Sequence, residues 1–182
     1  MKQQVKQVPY GVSDFAAVMS QNLYYVDKTM FIPELEKQPR NLFFIRPRRF
    51  GKSTFLSMLH SYYDCNQSAK FQSLFGNLWI GQHSTELQGK YQVLFLDFSQ
   101  VSGNIDSLER NFDFYCSVKL DGFMRRYGEA YSEETREKVR KAEYAMDKLA
   151  FIHDEAAQKG FDAIRKILFD SDGNRRTYEL VG

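Results

Sequence analysis

The residues of this chain best suited to chemistry are Gly51-Lys52-Ser53-Thr54, reached through the arginine-rich turn Arg46-Pro47-Arg48-Arg49-Phe50. Glycine lets the backbone come close to a bound anion, lysine carries a mobile positive charge, and a serine hydroxyl is a hard oxygen ligand for magnesium. In this order they make the second half of a phosphate-binding loop. The backbone N–H groups of such a loop, added to the positive end of a following helix, form a concave anion site. Lys52 is placed to reach the terminal phosphates and Ser53 to ligate magnesium.

The eight-residue pattern asks for glycine at its first position, and this chain has Arg46 there, followed by Pro47 with no N–H to donate. The donors that matter are therefore expected from the second half of the loop. Arg48, Arg49, Phe50, Gly51, Lys52, Ser53 and Thr54 are the expected contacts to a bound nucleotide. The arginines have a second reading. Arg46, Arg48 and Arg49 could instead grip DNA or an acidic partner, with at least one in an ordinary solvated ion pair.

Such a loop needs a strand before it and a helix after it. Leu42 to Ile45 is an apolar run that suits a buried strand, and Phe55, Met58, Leu59 and Tyr62 repeat at the spacing of one helix face. Upstream, Ser13 is expected to cap a short helix through Phe15 and Val18. Tyr24-Tyr25-Val26 reads as a brief strand, and Asp27 as the cap of a helix carrying Met30, Phe31 and Leu35. Tyr24 or Tyr25 could stack on a base, although half-buried core tyrosines are the commoner case.

Downstream, Tyr91 to Ser99 reads as a second strand whose unbroken apolar centre fits a parallel sheet buried on both faces. Asp97 ends it and is a candidate metal-associated acid, because strand ends in open α/β sheets face the ligand crevice. Ile105, Leu108, Phe112, Cys116, Leu120, Phe123 and Tyr127 then fall on one helical stripe. Ser132 is expected to cap a long second helix with Val139, Ala142, Met146, Leu149, Ile152 and Ala156 facing inward. Strands alternating with helices predict an α/β fold, a three-layer parallel sheet with flanking helices, in a single domain.

At 182 residues and 43% hydrophobic content the chain can bury a sizeable core. Net charge is only +2, so no global field drives it onto nucleic acid or membrane; the positive charge is concentrated at Arg40, Arg46, Arg48, Arg49 and Lys52. Cys65 and Cys116 lack metal-ligand spacing and are too few for a disulfide framework, which suits a reducing cytoplasm. No signal-peptide pattern or membrane-length apolar run occurs. His60, His83 and His153 are scattered, with no partner at triad or ligand spacing.

The segments Tyr25-Val26-Asp27-Lys28-Thr29, Phe44-Ile45-Arg46-Pro47-Arg48-Arg49-Phe50-Gly51-Lys52-Ser53 and Leu94-Phe95-Leu96-Asp97-Phe98-Ser99 together resemble the bacterial AAA-ATPase-like family. The resemblance covers roughly residues 8 to 160. It implies a P-loop NTPase-like, ATP-binding domain that uses magnesium, with Lys52 and Ser53 in the roles given above and Arg46 usual for the family. It also implies a later strand ending in Asp-Glu, the Walker B element, and often a nuclease-like domain after the ATPase module.

The only Asp-Glu pair here, Asp154-Glu155, falls on an amphipathic helix and reads as solvated surface. Where the family would place its acidic strand the sequence runs Arg175 to Gly182. The chain is therefore expected to be the N-terminal part of the module, cut before the Walker B strand, able to bind ATP but doubtful in hydrolysis. The alternative is a nucleic-acid or partner-binding module that uses the Arg46–Arg49 loop without nucleotide.

Overall fold

A computed structural model describes residues 5–38, 41–45, 47, 50–159 and 166–169. The chain divides into two compact units, residues 1–91 with 164–182, and residues 92–163.

The first unit is built around α3, Lys52–Tyr63. Its 3.6-residue period puts Phe55, Met58, Leu59 and Tyr62 on one face, and all four are buried, as the sequence spacing predicts. Packed with them are Phe15 of α1 (Phe15–Ser20), Ile32 of α2 (Ile32–Glu36), Leu74 and Phe75 of α4 (Phe71–Phe75), and Ile80 of α5 (Trp79–Gln82). Burying a large apolar side chain fully is worth about 1.5–3 kcal/mol. Aromatic geometry adds to that: Phe15 stacks on Phe75 with centroids 4.9 Å apart, and Tyr62 meets Phe75 edge-on at 5.6 Å.

Polar ties set the angles of these short helices. Asp14, not Ser13, caps α1 by accepting the Ala17 amide at 2.7 Å, and Ser57 of α3 accepts the Phe15 amide at 2.9 Å. Glu36 of α2 accepts hydrogen bonds from Tyr63 of α3 and from Thr85, which also bonds Tyr62.

Strand β1, Asn41–Phe44, forms where the apolar run predicts it. It pairs in parallel with β2, Lys166–Phe169, Asn41 lying opposite Lys166 and Phe44 opposite Phe169. Here the fold departs from the three-layer parallel α/β sheet expected from sequence. Helices make up most of the described chain, and the sheet among the described residues is a two-stranded pairing, too small to form the central layer of such a sandwich.

The strand expected from Tyr91 to Ser99 does not form. Tyr91 makes a single bridge to Asp64, and the residues after it belong to the second unit. Their backbone groups are satisfied by helix side chains instead of a neighbouring strand. The Val93 amide donates to the Tyr127 hydroxyl, the Val93 carbonyl accepts from Arg126, and the Asp97 amide donates to the Tyr115 hydroxyl at 2.6 Å. The run is not buried on both faces either, since Phe95 is exposed.

The rest of the second unit is helical. Asn104 caps α6, Ile105–Tyr127, by accepting the Ser107 amide. Only the C-terminal part of its predicted stripe is buried, at Leu120, Phe123 and Tyr127; Ile105 is exposed. The single long helix expected after Ser132 is two: α7, Glu133–Lys141, and α8, Ala145–Gln158. The break has a tertiary cause. Ala142 turns to extended backbone, and Asp113 of α6 accepts the Ala145 amide at 2.9 Å, giving α8 its own start. Val139 and Ile152 are buried as expected, whereas Met146 is exposed and Lys148 takes an inner place, paired to Asp121 at 2.7 Å. No described helix is long and apolar enough to cross a membrane.

Candidate functional site

In sequence the arginine-rich segment falls between β1 and α3, and Gly51 is the last residue before the helix. It has φ +73° and ψ 24°, left-handed backbone at a position that usually takes extended backbone. A side chain there would be strained by conformation, and among the described residues an added Cβ would meet only the Lys28 Nζ, at 3.6 Å. The Gly51 carbonyl accepts the Phe55 amide at 2.9 Å, the first bond of the helix. Gly51 offers no side chain to cap the amides of the first turn, which lie at the positive end of α3.

Of the residues expected to contact a nucleotide, Lys52 and Thr54 are half-buried and Ser53 is exposed on the first turn of α3, while Phe50 is exposed on the turn before it. Arg46, Arg48 and Arg49 lie outside the described residues. Phe44 at the end of β1 stacks on Phe55 at 5.1 Å, fixing the strand end against the first turn of the helix.

The side chain sequence reasoning missed is Lys28. Asp27 was expected to cap a helix at Met30. Its Oδ1 accepts the Thr29 amide at 2.8 Å and the Thr29 hydroxyl at 2.7 Å, while its Oδ2 accepts the Trp79 amide at 2.7 Å. Thr29, fully buried, in turn accepts the Ile80 amide at 3.1 Å. Asp27 thus locks the short turn 29–31 to the start of α5. Held between two fixed neighbours, Lys28 extends to Gly51. The two residues, with Phe31, Leu35, Phe50 and Phe55, line a cavity of about 180 Å³. A separation of 23 residues left no periodic signal of this meeting; the only hint was that Asp-Lys-Thr combines an anchoring pair with a cation.

Tyr25 packs edge-on against Phe15 at 5.2 Å, a core role. Burial pushes its phenol well above the usual range, the Asp27 charge pushes it further, and the Lys28 backbone N–H offsets part of the shift. Tyr24 is exposed.

Asp97, the candidate metal-associated acid, belongs to the second unit. Its carboxylate caps the turn 98–100, accepting the Ser99 amide at 3.1 Å and the Ser99 hydroxyl at 2.6 Å.

The Asp154-Glu155 pair is only half the solvated surface expected of it. Asp154 is exposed, but Glu155 is buried and accepts the Ser132 amide and hydroxyl, both at 2.8 Å, and Lys159 at 2.6 Å. The hydrogen bond from Lys159, followed by one from Thr135, draws its carboxyl down to about 2. Glu155 is a structural cap.

Burial raises both thiols, Cys65 and Cys116, as suits packing residues rather than nucleophiles. His60 lies 3.2 Å from Asp64, His83 stacks on Trp79, and no cluster of three or more metal-ligating side chains occurs among the described residues.

A family model described as a predicted AAA-ATPase matches residues 9–167, a span that includes Lys28, the loop and the helices of the second unit. An uncharacterized protein in the vnfD 5' region of Azotobacter chroococcum mcd 1 is 43% identical over 63 residues, which is 34% of this chain. The chain spans 12% of the length of that curated relative. No solved structure matches.

Proposed function

Because the chain belongs to the AAA-ATPase-like family of predicted AAA-ATPases, we propose that it binds ATP with magnesium, the phosphates lying against Gly51, Lys52, Ser53 and Thr54. The observation that carries this reading is the left-handed Gly51 as the N-cap of α3, in sequence directly after the segment that follows β1. The residues suit the ligand chemically. Gly51 admits close approach, the first-turn amides supply donors, Lys52 supplies charge for the terminal phosphates, and the exposed Ser53 hydroxyl is available to magnesium. Magnesium supplies neutralisation of the phosphate oxygens. Arg48, Arg49 and Phe50 complete the contacts in this proposal.

Binding rather than turnover is the activity proposed. Hydrolysis needs an acid beside the metal and the attacking water, and Asp97, the sequence candidate, has its carboxylate engaged by Ser99.

Titration calorimetry with magnesium and ATP tests the proposal. The wild-type chain should bind, and Lys52→Ala should abolish detectable binding; unaltered binding in that variant would overturn it. In parallel, DNA binding measured at several salt concentrations tests the alternative use of the arginine loop. A steep fall with salt, indifferent to Lys52→Ala beyond the loss of one charge, would favour nucleic acid over nucleotide.

A further inference from the structure

We infer that Lys28 is a second phosphate-binding cation of this site, delivered to Gly51 by the Asp27–Thr29 lock. The inference rests on the proposed nucleotide reading of the loop and adds to it a residue outside that loop. Three observations carry it. The first is place: the Lys28 Nζ lies 3.6 Å from where a Cβ of Gly51 would be, so an anion held by the first-turn amides of α3 would have this ammonium beside it.

The second is rigidity. Asp27 is held by Thr29 and by the Trp79 amide, and the buried Thr29 is held by the Ile80 amide. Both chain neighbours of Lys28 are therefore tied to the start of α5. Pre-positioning removes part of the ordering cost that a long side chain ordinarily brings to a contact.

The third is chemistry. The cavity shared by Lys28 and Gly51 is about 180 Å³, below the roughly 300 Å³ of pockets that enclose a whole drug-sized ligand. It takes part of a nucleotide, not all of it. Among its described lining residues Lys28 is the only cation, and the one carboxylate, Glu34, is paired with Lys37 at 2.7 Å. The division of labour within Asp27-Lys28-Thr29 follows: the outer two residues turn inward as anchors, and the middle one carries charge to the loop.

Lys28→Met keeps the apolar stem and removes the charge, so it separates the ligand role from packing. Calorimetry should show ATP with magnesium binding to this variant roughly tenfold or more weakly, the scale of one lost charge-assisted hydrogen bond. AMP, which presents a single phosphate, should lose less. Lys28→Arg should restore most of the ATP affinity, and thermal unfolding monitored by circular dichroism should be unchanged in both variants. If Lys28→Met binds ATP within about twofold of wild type while Lys52→Ala does not bind, Lys28 is not a phosphate ligand and the loop reading stands. If wild type itself does not bind, the loop reading fails and takes this inference with it. A loss of affinity equal for ATP and AMP, or one that comes with a lowered unfolding temperature, would make Lys28 a structural residue and overturn the assignment.

Discussion

The start of α3 in the first unit and the start of α7 in the second are both helix N-termini with amides to satisfy, and they are satisfied in opposite ways. At α7, Ser132 accepts the Thr135 amide at 3.2 Å, and Glu155 of α8 accepts the Ser132 amide and hydroxyl. Charge, hydroxyl and backbone all contribute to this cap. At α3 the N-cap is Gly51, with no side chain to give and with left-handed backbone. The other two long helices are also closed, α6 by Asn104 and α8 by Asp113. A closed end contributes stability. An end whose cap residue has no side chain gives up that contribution, typically about 1 kcal/mol for a side-chain cap.

Glu155→Ala should break the closed end most severely. It removes an acceptor of two hydrogen bonds from Ser132 and one from Lys159 in a buried position. A cost of about 2–3 kcal/mol to the second unit is expected, the scale of lost charge-assisted bonds, readable in urea unfolding. The same carboxylate makes that end acid-sensitive. Its folded value of about 2 lies below the ordinary glutamate range, so its contribution is present above that range and is lost as pH falls through it toward 2. Glu155→Gln should flatten stability between about pH 5 and 2, where wild type declines. An equally steep decline in the variant would move the acid sensitivity elsewhere.

Gly51→Ala tests the open end. The left-handed backbone should cost about 1–2 kcal/mol with any L side chain, while the 3.6 Å contact to Lys28 adds no clash. Stability should fall modestly and ATP binding should fall with it, because relaxing the strain re-aims the first-turn amides. A variant with wild-type stability and wild-type binding would show that the open end does not depend on this conformation.

The same contrast shows which parts of the molecule could be read in one dimension. The buried face of α3 and strand β1 were legible because each is a local repeat, four apolar residues at helical spacing and one short apolar run. The segment after Tyr91 reads locally like a strand, yet it lacks a pairing partner and takes its hydrogen bonds from Tyr115, Arg126 and Tyr127 on α6. The break between α7 and α8 was hidden for the same reason, since its cause is Asp113 on another helix. In the candidate site, Gly51 to Thr54 announce themselves by type and order. Lys28 does not, because only the Asp27 contacts to Thr29 and Trp79 turn it toward the loop.

The smallest expected effect separates the two contributions at the closed end. Ser132→Ala removes the hydroxyl that accepts the Thr135 amide and donates to Glu155, but leaves the Ser132 backbone amide bonded to the Glu155 carboxylate. A loss of about 1 kcal/mol is expected, the usual value of a serine cap. Because Ser132 and Glu155 share hydrogen bonds, Ser132→Ala combined with Glu155→Ala should cost less than the two separate losses added together. Additive losses would mean that the hydroxyl and the carboxylate stabilise α7 independently. Subadditive losses would make this end one cooperative cap, and Gly51 at α3 its counterpart whose cap residue has no side chain to contribute.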